Sequence, residues 1–477
     1  MQRLRFAPSP TGYLHVGGLR TALFSWLYTR RHGGRFIFRL EDTDRNRLVE
    51  AAEADLMRML EWAGLDLDEG PGLPGEHGPY RQSERLDLYH QYARQLVDQG
   101  DAYPCFCTPE RLEQVKAAQR EQGETARYDG HCRDLDPTEA SRRIQDGEAH
   151  VIRMKIPSTP ETLVLDDLIR GPVSIETTQT EDQVLIKGDG FPTYHLAVVV
   201  DDHHMDITLV VRGEEWLPSF PKHLLLYRYL GWEAPRFAHL PLILNPDRSK
   251  LSKRQGSVAV EDFRDAGYLP EALVNFVALL GWSPEDDQEL FTLEGLVGRF
   301  DWKRVNKSGA VFDREKLNWM NQQHLQRLDP EELMERVRPF LKETPYADRP
   351  EEQLRRVVAS VQNRLVTLRD IGNQLAPFFD ERPPSEDPEV LAILHEEAAQ
   401  TVLRVFAEKL EAEAQLNGEM LPQLAKQVQQ ETGIKGKGLW MPLRAAITQE
   451  VQGPDLHLLV DLFGKEKCLR RVRQAIV

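Results

Sequence analysis

Two short segments carry residue types that could do phosphate chemistry. In Pro8-Ser9-Pro10-Thr11-Gly12-Tyr13-Leu14-His15-Val16-Gly17-Gly18 an apolar run ends, proline and glycine force a turn, and a histidine stands where a helical pattern begins. Unpaired N–H groups at a helix N-terminus attract phosphate. Gly17 and Gly18 have no side chains, so a flat adenine or ribose could lie against the backbone. Alone, the pattern reads equally as a strand-to-helix turn with a capping residue. The second segment, Lys250-Leu251-Ser252-Lys253-Arg254, follows the Asn245-Pro246-Asp247 turn and gathers three cations. Cations on a loop can hold the charge that develops when pyrophosphate leaves in an in-line displacement at phosphorus. By itself it also reads as a solvated basic loop.

A third cluster is sulfur-rich. Cys105-Phe106-Cys107 is followed by Tyr128-Asp129-Gly130-His131-Cys132. Three cysteines and one further donor could close a tetrahedral Zn²⁺ site. Tyr128, His131 and Asp134 are candidates for the fourth position. Cys468 stands alone, and four cysteines in 477 residues exclude a disulfide scaffold.

The elements that must position these groups follow from hydrophobic period and breakers. Leu4–Ala7 predicts a strand, Leu19, Leu23, Trp26 and Leu27 form one stripe of a helix, and Phe36–Leu40 predicts a second strand ending in Glu41-Asp42-Thr43-Asp44. Such a βαβ unit favours a parallel sheet, with ligands beyond the carboxyl ends of its strands. Asp66–Tyr80 reads as loop, and Ser83–Asp98 and Pro109–Gln122 as helices. Strands are expected at Val151–Ile156, within Leu163–Val173, at Val184–Ile186, at Ala197–Val200 and at Leu240–Leu244, with a helix over Trp216–Leu230. Beyond Val260 the pattern is mostly helical, and Glu343–Pro350 and Glu381–Pro388 are candidate linkers.

Composition bounds the function class. Apolar residues make up 41% and charged residues 29%, as in globular chains. With 60 Lys and Arg against 76 Asp and Glu the net charge is −16, so the chain as a whole is no basic nucleic-acid binder. RNA needs only a local basic face, however. The beginning of the sequence has no signal-peptide core, and Leu196–Val200 and Ala272–Leu280 are too short to span a bilayer. The expectation is a soluble, cytoplasmic protein without a membrane partner.

In this order and at this separation, the two basic and glycine-rich segments resemble the HIGH and KMSKS signatures of class I aminoacyl-tRNA synthetases. RFAPSPTG (Arg5–Gly12), RLEDTD (Arg39–Asp44), GPYRQS (Gly78–Ser83), FPTYH (Phe191–His195), VVDDH (Val199–His203), RGEEWL (Arg212–Leu217) and WMPLRAAI (Trp440–Ile447) resemble bacterial-type glutamyl-tRNA synthetases along the whole length. Gly18 stands in place of the second His of HIGH, and Val198 where some relatives carry Asn. A glutaminyl enzyme would carry β-barrels after Val260, a glutamyl transferase acting on queuosine-modified tRNA would lack the helical half, and a non-catalytic RNA-binding paralogue would be expected to lose Lys253 or His15.

The resemblance implies an α/β Rossmann-type catalytic domain with an inserted α+β domain, followed by all-α C-terminal domains. Its expected boundaries are 1–90 with 194–230 for the catalytic domain, 91–193 for the inserted acceptor-end-binding domain, 231–328 for a stem-contact domain, and 329–378 and 379–477 for anticodon binding. It implies activation of glutamate by ATP with Mg²⁺, release of pyrophosphate, and transfer to the terminal adenosine of tRNA(Glu), with tRNA(Gln) left open, by a monomer. Arg5, Ala7, Ser9, Glu41, Tyr194 and Arg212 match the amino-acid pocket. His15, Gly17, Gly18, Glu215, Trp216, Leu242, Ile243, Lys250 and Lys253 match the ATP site, with Lys253, His15 and Lys250 catalytic. Arg364 matches an anticodon-reading position, and Cys105, Cys107, Tyr128 and Cys132 match a zinc set found in some relatives.

Overall fold

The computed structural model describes residues 1–251, 258–381, 385–453 and 455–477. They divide into two compact units, Met1–Arg264 with Pro270–Arg314, and Asp265–Leu269 with Glu315–Val477. The described strands are β1 (Arg3–Phe6), β2 (Arg35–Phe38), β3 (Ala102–Cys105), β4 (Val151–Met154), β5 (Thr162–Asp167), β6 (Gly171–Glu176), β7 (Val184–Ile186), β8 (Leu209–Gly213), β9 (Arg236–Leu240), β10 (Ile243–Leu244) and β11 (Ala310–Val311).

The first unit is organised by a six-stranded sheet of order β2-β1-β8-β9-β5-β6. β1 runs parallel to β2 from Arg3↔Arg35 to Phe6↔Phe38, and to β8 at Leu4↔Leu209. β8 and β9 are parallel from Leu209↔Arg236 to Gly213↔Leu240, and β9 meets β5 at Phe237↔Asp167. Helix α1 (Val16–Arg31) joins β1 to β2 and buries Leu19, Leu23, Trp26 and Leu27, the stripe its sequence predicts. Each such apolar side chain contributes about 1.5–3 kcal/mol when fully buried.

Within the segment expected to be inserted, β3, β4 and β7 form an antiparallel sheet of their own. Helices Pro109–Glu121 and Pro137–Gln145 belong to the same stretch, each with Pro in its first turn and a capping Thr108 or Asp136. The β5–β6 hairpin departs from that arrangement and extends the main sheet.

Three expectations are corrected. Ala197–Val200 is no strand but the middle of the helix Tyr194–His204, whose residues Leu196–Asp202 are buried. A run buried on every side has no period to separate strand from helix. The strand expected over Leu240–Leu244 is split, since β9 ends at Leu240 and β10 begins at Ile243 after Pro241, which has no N–H to give a ladder. The helix expected from Trp216 starts as a 3₁₀ turn, Glu214–Ser219, containing Pro218, and becomes α-helical at Phe220–Tyr229.

The second unit is helical, from Glu315 in the helix Arg314–Leu325 to Leu456–Gln474. Glu343–Pro350 joins two helices inside this unit, while 382–384 of Glu381–Pro388 lie outside the described residues. Across the described residues no helix is long and apolar enough to cross a membrane.

Candidate active site

A cavity of about 990 Å³ opens at the carboxyl ends of β1, β2 and β8. The parallel register carries the chain ends there together, since Arg39 N–H donates to Phe6 C=O and Glu41 N–H to Pro8 C=O, each at 3.0 Å. The cavity is lined by every described residue that the sequence assigns to the amino-acid and ATP sites: Arg5, Ala7, Ser9, His15, Gly17, Gly18, Glu41, Tyr194, Arg212, Glu215, Trp216, Leu242, Ile243 and Lys250. Lys253 lies outside the described residues.

His15 is the N-cap of α1, and its Nδ1 accepts from Gly18 N–H at 3.1 Å. The imidazole therefore folds over the first helical turn. A Cβ on Gly17 would lie 3.0 Å from its Cε1, and one on Gly18 would lie 3.1 Å from Leu14 Cδ1. The glycine pair thus makes room for the cap as well as for a ligand. The described residues on either side of 252–257 are both bonded to residues that line the cavity. Leu251 N–H donates to Ile243 C=O at 2.9 Å, and Val16 N–H donates to Val258 C=O at 2.9 Å. Leu251 and Val258 both line the cavity.

Charge below the cavity is arranged in a buried network. Arg5 donates to Asp202 from Nε at 3.0 Å and Nη2 at 3.2 Å. Arg39, fully buried, donates to Asp202 at 2.7 Å and to Glu41 Oε1 at 3.0 Å. Burial pushes the Glu41 carboxyl above its usual range, and the Arg39 and Arg5 guanidiniums oppose that shift. Asp202 is held below the carboxylate range, because Arg5 and Arg39 outweigh the burial that raises it.

Arg212 has a different environment. Its Nε donates to His239 Nε2 at 2.9 Å, and its Nη1 to His223 Nδ1 at 3.1 Å and to Tyr194 Oη at 3.4 Å. Its Nη2 is buried and has no protein partner. Neither Glu214 nor Glu215 pairs with it; Glu214 bonds Arg170 and accepts Leu242 N–H at 2.8 Å. Tyr194 packs against Trp216 with ring centroids 4.3 Å apart. Sequence reasoning missed His223, His239 and Asp167, since isolated residues on short elements carry no spacing signature. Arg39 and Asp202 sit in motifs it quoted, without a role.

The cysteine cluster lies apart from this cavity. The Sγ atoms of Cys105, Cys107 and Cys132 are all within 4.8 Å of one another, with Cys107 and Cys132 at 3.6 Å. A tetrahedral centre with Zn–S of about 2.3 Å would set sulfurs about 3.8 Å apart. Tyr128 Oη stands 3.3 Å from Cys105 Sγ and 3.9 Å from Cys107 Sγ. His131 and Asp134 are exposed and offer no atom to the group, and of the three further candidates only the Tyr128 hydroxyl reaches the thiols. These residues fit a zinc ion.

Arg364 belongs to the second unit, on the 3₁₀ turn Gln362–Arg364, and its Nη1 is buried without a protein partner.

Residues 1–319 match the family of tRNA synthetases class I (E and Q), catalytic domain, and residues 332–476 match an anticodon binding domain. The glutamate–tRNA ligase of Clostridioides difficile is 47% identical, over 98% of both chains. That of Geobacillus thermodenitrificans is 44% identical, over 99% of this chain and 98% of its own. The crystal structure of a glutamate tRNA ligase from Elizabethkingia meningosepticum in complex with its amino acid superposes with a TM-score of 0.91 at 38% identity, covering 100% of this chain and 99% of that one.

Proposed function

The chain belongs to the class I tRNA synthetases of the glutamate and glutamine type, and on that premise we propose how its residues divide the work of a glutamate–tRNA ligase. Its reaction activates L-glutamate with ATP to glutamyl-adenylate and transfers the glutamyl group to the terminal adenosine of tRNA(Glu), releasing pyrophosphate and AMP. The observation that carries the substrate assignment is Arg212. It is a buried cation at the cavity whose Nη2 donors point to no protein acceptor. The side-chain carboxylate of glutamate supplies two acceptor oxygens there, and a charge-assisted pair is the strong kind of hydrogen bond. Glutamine would present an NH₂ to a group that only donates.

The other roles are those the family resemblance implies for residues that line the cavity. Glu41 spends one oxygen on Arg39 and receives the substrate ammonium. Arg5 keeps Asp202 and the pocket floor in place. Ala7 and Ser9 border the amino acid, and Tyr194 orients Arg212. ATP, entering as its Mg²⁺ complex, lies against His15, Gly17 and Gly18, with its adenosine near Glu215, Trp216, Leu242 and Ile243. A substrate α-carboxylate oxygen attacks the α-phosphorus, and the bond to the β-phosphate oxygen breaks. Lys250 and Lys253 hold the charge of the departing pyrophosphate. A ribose hydroxyl of the tRNA then attacks the acyl carbon, and AMP leaves.

Residues 91–193 receive the acceptor end, 231–328 the stem, and 329–378 with 379–477 the anticodon arm, around the catalytic parts 1–90 and 194–230. Loop bases are splayed and readable, so Arg364 reads a base edge and restricts charging to tRNA(Glu). Cys105, Cys107, Tyr128 and Cys132 hold one Zn²⁺, which when bound cross-links the segment that carries them. The protein works as a cytoplasmic monomer. Charging assays on purified tRNA(Glu) and tRNA(Gln), with glutamate and glutamine each offered, test this reading. Glutamate on tRNA(Glu) alone is expected; charging of tRNA(Gln) would remove the role given to Arg364, and use of glutamine the role given to Arg212.

A further inference from the structure

Three residues on neighbouring strands form a row across the main sheet. Arg212 of β8 is the register partner of His239 of β9, and Asp167 of β5 is paired two residues before it, with Phe237. All three are buried. His239 Nδ1 lies 2.7 Å from Asp167 Oδ2, and His239 Nε2 lies 2.9 Å from Arg212 Nε.

The tautomer follows from the two neighbours. A carboxylate only accepts, so Nδ1 carries the proton; a guanidinium only donates, so Nε2 offers its lone pair. Asp167 is itself fixed. Its Oδ1 accepts N–H from Ile169 at 3.0 Å and from Arg170 at 2.9 Å, and its Oδ2 accepts N–H from His239 at 3.0 Å. On the other side of the guanidinium, His223 Nδ1 also accepts from Arg212, and His223 Nε2 meets His195 Nδ1 at 3.1 Å.

The contrast with the adjacent arginines gives this row its meaning. Arg5 is ion-paired with Asp202, and Arg39 with Asp202 and Glu41. Among the described residues Arg212 forms no ion pair with a carboxylate, because its acceptors are imidazoles and a phenol. Imidazole acceptors satisfy its N–H groups and fix its plane while leaving its charge available to the cavity.

We propose that Asp167 and His239 are positioning residues for glutamate recognition, holding the Arg212 guanidinium in place through a neutral imidazole so that its full charge faces the substrate carboxylate. This rests on the reading of Arg212 as the group that receives that carboxylate. Direct pairing of Asp167 with Arg212 would fix the guanidinium equally well but cancel the charge that separates glutamate from glutamine. The relay provides orientation without neutralisation.

The test uses the full chain and measures KM for glutamate and for ATP in pyrophosphate exchange with tRNA present, with thermal unfolding of each variant. In His239→Gln the side-chain oxygen can accept from Arg212 and the amide can donate to Asp167, so KM for glutamate is expected within a few-fold of native. In His239→Met the acceptor is gone, and misplacing a binding group by about 1 Å can cost about 10²-fold. KM for glutamate is expected to rise roughly 10- to 100-fold, with KM for ATP nearly unchanged and a higher glutamine-to-glutamate ratio. Asp167→Asn is expected to act in the same direction. Whichever way its amide turns, the NH₂ opposes either the His239 ring nitrogen or the Ile169 and Arg170 N–H groups.

The proposal is overturned if His239→Met leaves KM for glutamate at the native value. It is equally overturned if His239→Gln is no better than His239→Met, or if both substrates and folding are lost together. An Arg212→Cys control separates the two levels. If that change leaves glutamate use intact, the reading of Arg212 fails; if it abolishes glutamate use while the His239 variants do not, only the positioning role fails.

Discussion

Asp202 grips Arg5 through two hydrogen bonds, Nε to Oδ1 at 3.0 Å and Nη2 to Oδ2 at 3.2 Å, while Oδ1 also accepts from Arg39. One buried carboxylate therefore serves two buried guanidiniums beneath the cavity. Asp202→Asn keeps the shape and removes the charge, leaving both cations short of a partner. Breaking a buried pair from one side costs about 3–5 kcal/mol. The denaturation midpoint should fall accordingly, read by urea titration at pH 7, and it should fall more than in Asp202→Asn combined with Arg5→Met.

Arg5 is paired with Asp202 whereas Arg212 Nη2 has no protein partner, so the proposed selectivity for glutamate is tested at Arg212. Arg212→Cys removes the charge and opens space for an amide. A lost charge-assisted hydrogen bond is worth about 1.5–3 kcal/mol, or roughly 10- to 100-fold, before any cost from disturbed neighbours. Glutamate-dependent pyrophosphate exchange should drop by at least that factor, and the ratio of glutamine to glutamate use should rise. A modest drop with an unchanged ratio would give Arg212 a structural role only.

How much of this was readable before folding depends on the range of the signal. The βαβ unit around α1 was visible, because the helical period and the breakers Pro8, Pro10 and Gly12 are local. The Asp-Asp pair at 201–202 was visible as letters, but its partner Arg5 lies 197 residues away and Arg39 lies 163 away. His239 was not visible at all. Its role comes from the β8–β9 register, which no spacing within either strand encodes. The sequence predicts a strand at Ala197–Val200, inside the helix Tyr194–His204, because complete burial of Leu196–Val200 erases the period.

The cysteine cluster makes a compositional prediction. Protein purified without chelator should carry about one equivalent of zinc by elemental analysis. Chelation should loosen 91–193 first, because structural zinc contributes directly to folding. Limited proteolysis would locate the change between Cys105 and Cys132. Cys107→Ser should lose the metal; Tyr128→Phe should keep the fold and bind it more weakly. Zinc-free protein with unchanged proteolysis after chelator treatment would reduce the cluster to packed thiols.

The histidines behind Arg212 set a pH dependence. Burial holds His195 down to about 3 and lowers His223 and His239. Unfolded histidine takes up its proton near about pH 6.5. Between that value and about 3 the unfolded chain binds more protons than the native one at His195, so stability falls as pH falls. The contribution is complete above about pH 6.5 and is lost progressively below it. Thermal midpoints should drop from pH 7 to pH 5, before most carboxylates titrate. His195→Gln should reduce that drop; an unchanged pH slope would place the acid sensitivity elsewhere.

Lys253 lies outside the described residues. The residues on either side of its segment are informative. Leu251 is bonded to Ile243, Val258 is bonded to Val16, and both line the cavity that holds the helix N-terminus of α1. In sequence, Ser252-Lys253-Arg254 follows Leu251 directly and carries two cations. The charge they can meet is largest when pyrophosphate leaves, so their effect should appear in the rate more than in binding. Removing one such donor costs roughly 10²–10³ in rate. Lys253→Ala should therefore slow glutamate-dependent pyrophosphate exchange by about that factor while tRNA affinity changes within a few-fold. Lys250→Ala, at the described edge of the same loop, should act in the same direction. If exchange by Lys253→Ala stays near native, the charge on the leaving group must be met by other cavity cations, with Lys250 and Arg20 the next to be tested.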